Sequence, residues 1–177
     1  MILTEVSKEM LRSYVAFDLE TTGLSVEENC IIEVGALKVR DGAVAGRFMT
    51  FVKPEETISP KITEITGITN AMVEKAPTAD EVMKAFVDFC EDDVLIGHNL
   101  MFDYSFAKKY AGRIGCPFEK RGIDTLKIAR AVCSGIVSKS LGALCDHYGI
   151  TNDQAHRAYH DAFATAKPYQ TLSHYYE

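Results

Sequence analysis

Residues 14–52 read YVAFDLETTGLSVEENCIIEVGALKVRDGAVAGRFMTFV, and the fold follows from how this stretch divides. Val15-Ala16-Phe17 is an apolar run of strand type. Cys30–Arg40 is a second, carrying Ile31, Ile32, Val34, Ala36, Leu37 and Val39. Asp41-Gly42 is a strong turn signal, because both residues tolerate the backbone a tight hairpin needs. Arg47–Val52 returns as a third strand, and Lys53-Pro54 ends it. Antiparallel hairpins are expected over residues 14–52.

Further along, the pattern changes. Thr78–Glu91 places Val82, Ala85, Phe86 and Phe89 at helical spacing, with Thr78 as the cap. Val94-Leu95-Ile96 is a short buried strand, and Gly97 lets the chain turn out of it. Asp103–Tyr110, Thr125–Val132, Leu141–Tyr148 and Ala158–Tyr175 read as helices. Hairpins followed by helices interleaved with short strands predict an α/β domain with a mixed central β-sheet flanked by helices. With 177 residues, one domain over residues 1–177 is expected, burying about two-thirds of its surface.

No apolar run approaches the roughly 20 residues of a membrane span, and the amino terminus lacks a secretion-signal pattern. Five cysteines without a Cys-x-x-Cys pair point to reduced thiols and a cytoplasmic protein without membrane contact. Cys145, His147, His156 and His160 match none of the usual structural zinc spacings. The net charge of −6 opposes nucleic-acid binding, but the charge is uneven. Glu55–Asp93 nets −7, whereas Tyr104–Ser140 nets +6 with eight basic residues. Local field decides attraction, so a polyanionic partner is permitted; a solvated helix face would account for the same lysines.

Four acids sit in apolar surroundings. Asp18 ends the run Val15-Ala16-Phe17, Asp103 follows Met101-Phe102, and Asp161 opens an Ala/Phe-rich helix; Glu20 stands two residues after Asp18. No Lys or Arg is adjacent to any of them in sequence. Buried charge needs a positive partner, and a divalent cation is the simplest one. On a strand, Asp18 and Glu20 point to one face, roughly 6–7 Å apart. Oxygen ligands of this kind select Mg²⁺ or Mn²⁺ over zinc. The same pair would also suit a solvated strand end, and Asp103 a helix N-cap. Thr21-Thr22-Gly23 offers a tight turn whose N–H groups can approach a ligand.

His156 and Asp161 are five residues apart, about 140° around a continuous helix. They can serve one site only if the helix starts after His156. Asp161 would then be a fixed ligand and His156 a mobile proton acceptor; His160 competes for that second role. Two hard cations about 4 Å apart would clamp a phosphodiester, activate water and stabilise the departing oxygen.

These residues resemble a known family, the DEDDh (DnaQ-like) exonucleases of the ribonuclease H-like fold. Phe17-Asp18-Leu19-Glu20-Thr21-Thr22-Gly23-Leu24 resembles its first motif, His98-Asn99-Leu100-Met101-Phe102-Asp103 its second, and His156-x-x-x-x-Asp161 its third. Ile58-Ser59-Pro60 to Thr66-Gly67-Ile68-Thr69 and Asp124-Thr125-Leu126 are also similar to the family. The resemblance runs from about Tyr14 to the carboxyl end and is strongest to the proofreading exonucleases of bacterial replicative polymerases. It implies hydrolysis from the 3′ end of single-stranded DNA with release of nucleoside 5′-monophosphates, using two Mg²⁺ or Mn²⁺ ions. Asp18, Glu20, Asp103 and Asp161 would be metal ligands and His156 the general base. Leu19, Thr21, Thr22, Gly23 and Leu24 would hold the terminal nucleotide, with Asn99 and Phe102 in the same pocket. Exoribonuclease activity is the nearest alternative, and a catalytically inactive nucleic-acid-binding module is another. The chain stops at His174-Tyr175-Tyr176-Glu177, without the further tail that grips a polymerase. A stand-alone monomer or homodimer is therefore set against a polymerase-bound subunit.

Overall fold

The expected hairpins form, and they are longer than the apolar runs alone indicate. The computed structural model describes residues 2–3, 11–152 and 155–173. A two-residue strand, β1 (Ile2–Leu3), precedes β2 (Tyr14–Thr21), β3 (Ile31–Arg40) and β4 (Ala43–Phe51). Next come α1 (Pro60–Thr66), α2 (Asn70–Val73), α3 (Ala79–Cys90), β5 (Leu95–Gly97) and α4 (Leu100–Arg113). The chain closes with β6 (Arg121–Asp124), α5 (Thr125–Val132), α6 (Leu141–Tyr148) and α7 (Ala158–Ser173). The sheet order is β1-β6-β5-β2-β3-β4. β2, β3 and β4 are antiparallel neighbours, and β5 and β6 join β2 in parallel, so the sheet is mixed as expected.

Alternation along β2 and β3 decides what covers each face. Val15, Phe17, Val34 and Ala36 belong to one core with Phe86 of α3 and Phe106 of α4. Tyr14, Ala16, Leu37 and Val39 belong to another, with Ile128 of α5 and Ala166, Tyr169 and Leu172 of α7. Each large side chain removed from water here contributes about 1.5–3 kcal/mol. Asp18 and Glu20 continue the Tyr14–Ala16 face by the two-residue period, which is the face α7 covers. α7 lies very close to β3: a Cβ on Gly35 would come within 2.0 Å of the Tyr159 backbone nitrogen. Only glycine permits that approach.

Several boundaries differ from the sequence reading. β4 begins at Ala43, because the Asp41-Gly42 turn lets Arg40 pair with Ala43. α4 begins at Leu100, with Asn99 as its left-handed N-cap (φ 66°), so Asp103 lies in the first turn and is not a cap. In α3, Ala85 faces outward while Met83 and Cys90 are buried beside Val82 and Phe86. β1, β6, α1 and α2 were not expected. The proposed end of the last helix at Tyr175 lies outside the described residues. All five cysteines are free thiols. Among the described residues no helix is long and apolar enough to cross a membrane.

Candidate active site

The four acids converge from three elements at one end of the sheet. Asp18 and Glu20 come from β2, and Asp103, in the first turn of α4, accepts a hydrogen bond from the Leu19 backbone N–H (3.0 Å). Asp103 is thereby tied to the peptide between the two β2 acids. Asp161, in the first turn of α7, accepts from the Asn152 side-chain amide (2.8 Å) and from the His156 N–H (2.9 Å). His156 precedes α7, is exposed, and has φ 64°. A non-glycine residue in that region is strained by about 1–2 kcal/mol, and the Asp161 hydrogen bond helps hold it there. One potential ligand atom from each of Glu20, His156 and Asp161 lies within 4.8 Å of the others. The helix start after His156 is what allows both residues of the third motif to face one place.

Electrostatically the cluster is unbalanced. Burial, and then the neighbouring charges of Asp103, Glu20 and Asp161, raise the Asp18 carboxyl well above the ordinary range. Glu20 is pushed up to about 8, first by burial and then by Asp161, Glu33 and Asp103. Burial raises Asp103 as well, against the lowering effect of its Leu19 hydrogen bond. Among the described residues no ion pair joins a lysine or arginine to Asp18, Glu20, Asp103 or Asp161. Mutual repulsion between buried and half-buried acids is what a divalent cation relieves, and carboxylate oxygens suit such an ion. The residues fit a metal site.

Beside Glu20 opens a cleft of about 460 Å³, large enough for a nucleotide-sized ligand. Leu19, Thr21, Thr22, Gly23, Leu24 and Phe102 line it together with Glu20. The turn is folded tightly on itself: a Cβ on Gly23 would meet the Asn29 side chain at 2.4 Å. Thr21 Oγ1 donates to Gly23 O (2.7 Å), and Asn29 Oδ1 accepts from Ser25 N. The Thr22 N–H is already used by Cys30 O (2.9 Å), so it is not the free ligand-facing donor the sequence suggested. Lys109 of α4 grips the turn's far side through Val26 O (2.6 Å) and Glu27 O (3.2 Å). Leu24 stands 84% exposed at the rim. Asn99 lies outside the cleft lining, and its N–H donates to Asp124 Oδ1 (3.0 Å).

The opposite wall was not visible in the sequence. It is α1, through Lys61, Ile62 and Ile65. Ser59 caps α1 and Pro60 opens it, a start signal that could have been used. His98, of the second motif, bridges Thr125 Oγ1 (3.0 Å) and Lys139 O (2.9 Å), fastening the β5 end to the loop before α6. Much of the basic block is engaged elsewhere: Lys108 with Glu119, Arg113 with Glu55 and Asp80, and Lys120 with Glu91 O. Glu33 also escaped notice, although it is an acid inside the apolar run of β3 and is 1% exposed. It binds Arg157, the second residue of the third motif.

Comparison with known proteins agrees with this architecture. The RNase T-type exonuclease family model matches residues 15–169. The PolC-type DNA polymerase III of Clostridium perfringens is 42% identical over 154 residues, 87% of this chain but 11% of that protein. This chain thus spans about a tenth of such PolC-type relatives. The DNA polymerase III epsilon subunit of Aquifex aeolicus is 36% identical over 156 residues, covering 88% of this chain and 77% of the subunit. Among solved structures, exonuclease X in complex with 5′ overhanging duplex DNA aligns with a TM-score of 0.73 at 27% identity, covering 91% of each chain. Exonuclease I aligns with a TM-score of 0.80 at 21% identity over 93% of this chain and 43% of that one, a likeness of fold. A mixed sheet flanked by helices, acids meeting at one end of it and a family match from Val15 to Tyr169 lead to one conclusion: this chain belongs to the exonuclease family.

Proposed function

We propose that the chain is a metal-dependent 3′→5′ exonuclease acting on single-stranded DNA ends and releasing nucleoside 5′-monophosphates. The observation that carries this reading is the adjacency of Glu20, His156 and Asp161, within 4.8 Å, to the 460 Å³ cleft that Glu20 itself lines. A terminal nucleotide seated between Leu24, Phe102 and α1 would bring its phosphodiester to the acids. Asp18, Glu20, Asp103 and Asp161 would hold two divalent cations, Mg²⁺ or Mn²⁺. Such ions, when bound, supply acidification of the attacking water and stabilisation of the departing oxygen. A ring nitrogen of His156 takes the water proton as the new P–O bond forms. The P–O bond to the 3′ oxygen of the preceding nucleotide breaks, and that oxygen leaves with a proton from solvent.

We read DNA rather than RNA as the substrate because the relatives are DNA polymerase III proteins by name and exonuclease X is seen in complex with 5′ overhanging duplex DNA. Residues 1–177 would act as one exonuclease domain, a reading supported by the single sheet that runs from β1 to β4 with a core on each face. The free cysteines suit a cytoplasmic location. Association with a replicative polymerase, as the epsilon and PolC names suggest, is a partner to test by co-purification. The deciding experiment is digestion of matched DNA and RNA oligonucleotides, labelled at the 5′ end, with Mg²⁺, Mn²⁺ or EDTA. A ladder shortening from the 3′ end of DNA, abolished by EDTA, is expected. Faster shortening of RNA would replace the proofreading reading with an exoribonuclease, and no shortening of either would leave a binding module.

A further inference from the structure

Glu33 stands opposite Glu20 in the β2–β3 register and faces the start of α7. Its carboxylate accepts from Arg157 Nη2 (2.8 Å to Oε1), from Arg157 Nε (3.2 Å to each oxygen) and from the Ala158 N–H (2.9 Å to Oε2). The Arg157 guanidinium also lies over the Phe51 ring, 5.2 Å from its centroid. An ion pair between a buried acid and a partly exposed arginine is weak as a source of stability, because taking the acid out of water offsets most of the attraction. What it supplies is fixed geometry. Here the fixed residues are the two immediately after His156.

We infer that Glu33 is a positioning residue for His156: from β3, paired between Glu20 of β2 and Phe51 of β4, it clamps Arg157 and Ala158, and so sets where the imidazole stands relative to Glu20 and Asp161. His156 is held from two sides. Asp161 accepts its N–H, but Asp161 belongs to the candidate ligand set; Glu33 holds the following residues from outside that set. Gly35, two residues on along the same face, lets the α7 backbone approach β3 closely enough for the clamp to close. The inference deepens the nuclease reading and rests on it for its kinetic test.

Glu33→Gln keeps the shape but turns one acceptor end into a donor, facing N–H groups on both sides. It should lower kcat on a single-stranded DNA oligonucleotide by about a hundredfold, with KM within about twofold. In a His156→Ala background, where kcat is already about a thousandfold down, adding Glu33→Gln should change it less than about twofold. Losses that multiply in the double variant, or a loss confined to KM, would overturn the inference and leave Glu33 a general structural residue. Hydrogen exchange separates this from failure of the nuclease reading, because it needs no turnover. Glu33→Gln should speed exchange over residues 155–162 about tenfold and leave β2 unchanged; equal protection in both proteins would also overturn the clamp. Where Glu33→Gln gives no folded protein, Arg157→Lys makes the same test, keeping the charge but losing the fork that binds both oxygens.

Discussion

Two acidic clusters occupy opposite ends of the β2–β3 ladder and are built on opposite terms. Near the end where Val15 pairs with Lys38, Glu91 and Asp93 meet Lys38 and Arg40. Arg40 reaches Asp93 at 2.7 Å and Glu91 at 3.0 Å, and Lys38 with Arg40 holds the Glu91 carboxyl below its ordinary range. At the end where Glu20 pairs with Glu33, Asp18, Glu20, Asp103 and Asp161 crowd together with no such ion pair among the described residues. The same fold that satisfies one cluster leaves the other short of positive charge. The shortfall at that end is what the proposed divalent cations would make good.

Breaking the uncompensated end should have the largest effect. Asp18→Ala is expected to lower digestion of single-stranded DNA by about a thousandfold, equivalent to ~4 kcal/mol, while the far-ultraviolet circular dichroism is unchanged. An Asp18→Ala protein that still digests DNA would remove the metal mechanism. The next effect concerns stability. The folded chain holds Glu20 at about 8 against an ordinary 4.5, so it keeps a proton that the unfolded chain has lost. The contribution of Glu20 to the stability of the metal-free protein is therefore fully present below about pH 4.5 and is lost as pH rises through 8. Thermal melts in EDTA from pH 5 to 8.5 should show this decline, and Mn²⁺ should reverse it at the alkaline end. A melting temperature that rises with pH in EDTA would contradict the crowding of acids.

A smaller change sharpens the same contrast. Glu20→Gln at pH 8 in EDTA should stabilise the chain by ~1–2 kcal/mol, while abolishing the gain from Mn²⁺. Smallest of all is the satisfied end. Lys38→Met should shift the melting temperature by less than about 2 °C and leave kcat unchanged, because Arg40 still pairs with both Glu91 and Asp93 when Lys38 is gone. A large loss there would mean that Arg40 alone does not satisfy the far cluster.

Legibility in the sequence divided along similar lines. Residues 14–52 could be read because alternation and Asp41-Gly42 are local signals. β6 could not: Arg121-Gly-Ile-Asp124 has one large apolar residue, and it becomes a strand only by pairing with β5 and β1. α1 and α2, at seven and four residues, are too short for a helical period to register. Within the site, Asp18, Asp103 and Asp161 were found because acid inside apolar sequence is anomalous. Glu33 satisfies that criterion equally well and was passed over, since its partner Arg157 lies 124 residues away. The α1 wall of the cleft was hidden for another reason: Lys61, Ile62 and Ile65 acquire a role only once the Thr21–Leu24 turn faces them.

One helix does two jobs at the cleft. α4 carries Asp103, bonded to the floor at Leu19, and six residues later Lys109, bonded to the turn behind Leu24. Six helical residues span roughly 9 Å along the axis. The aperture is thus spaced by a stiff rod rather than by a loose flap, so its width is a property of helix geometry, and a one-residue insertion between Asp103 and Lys109 would disable it as surely as loss of either anchor.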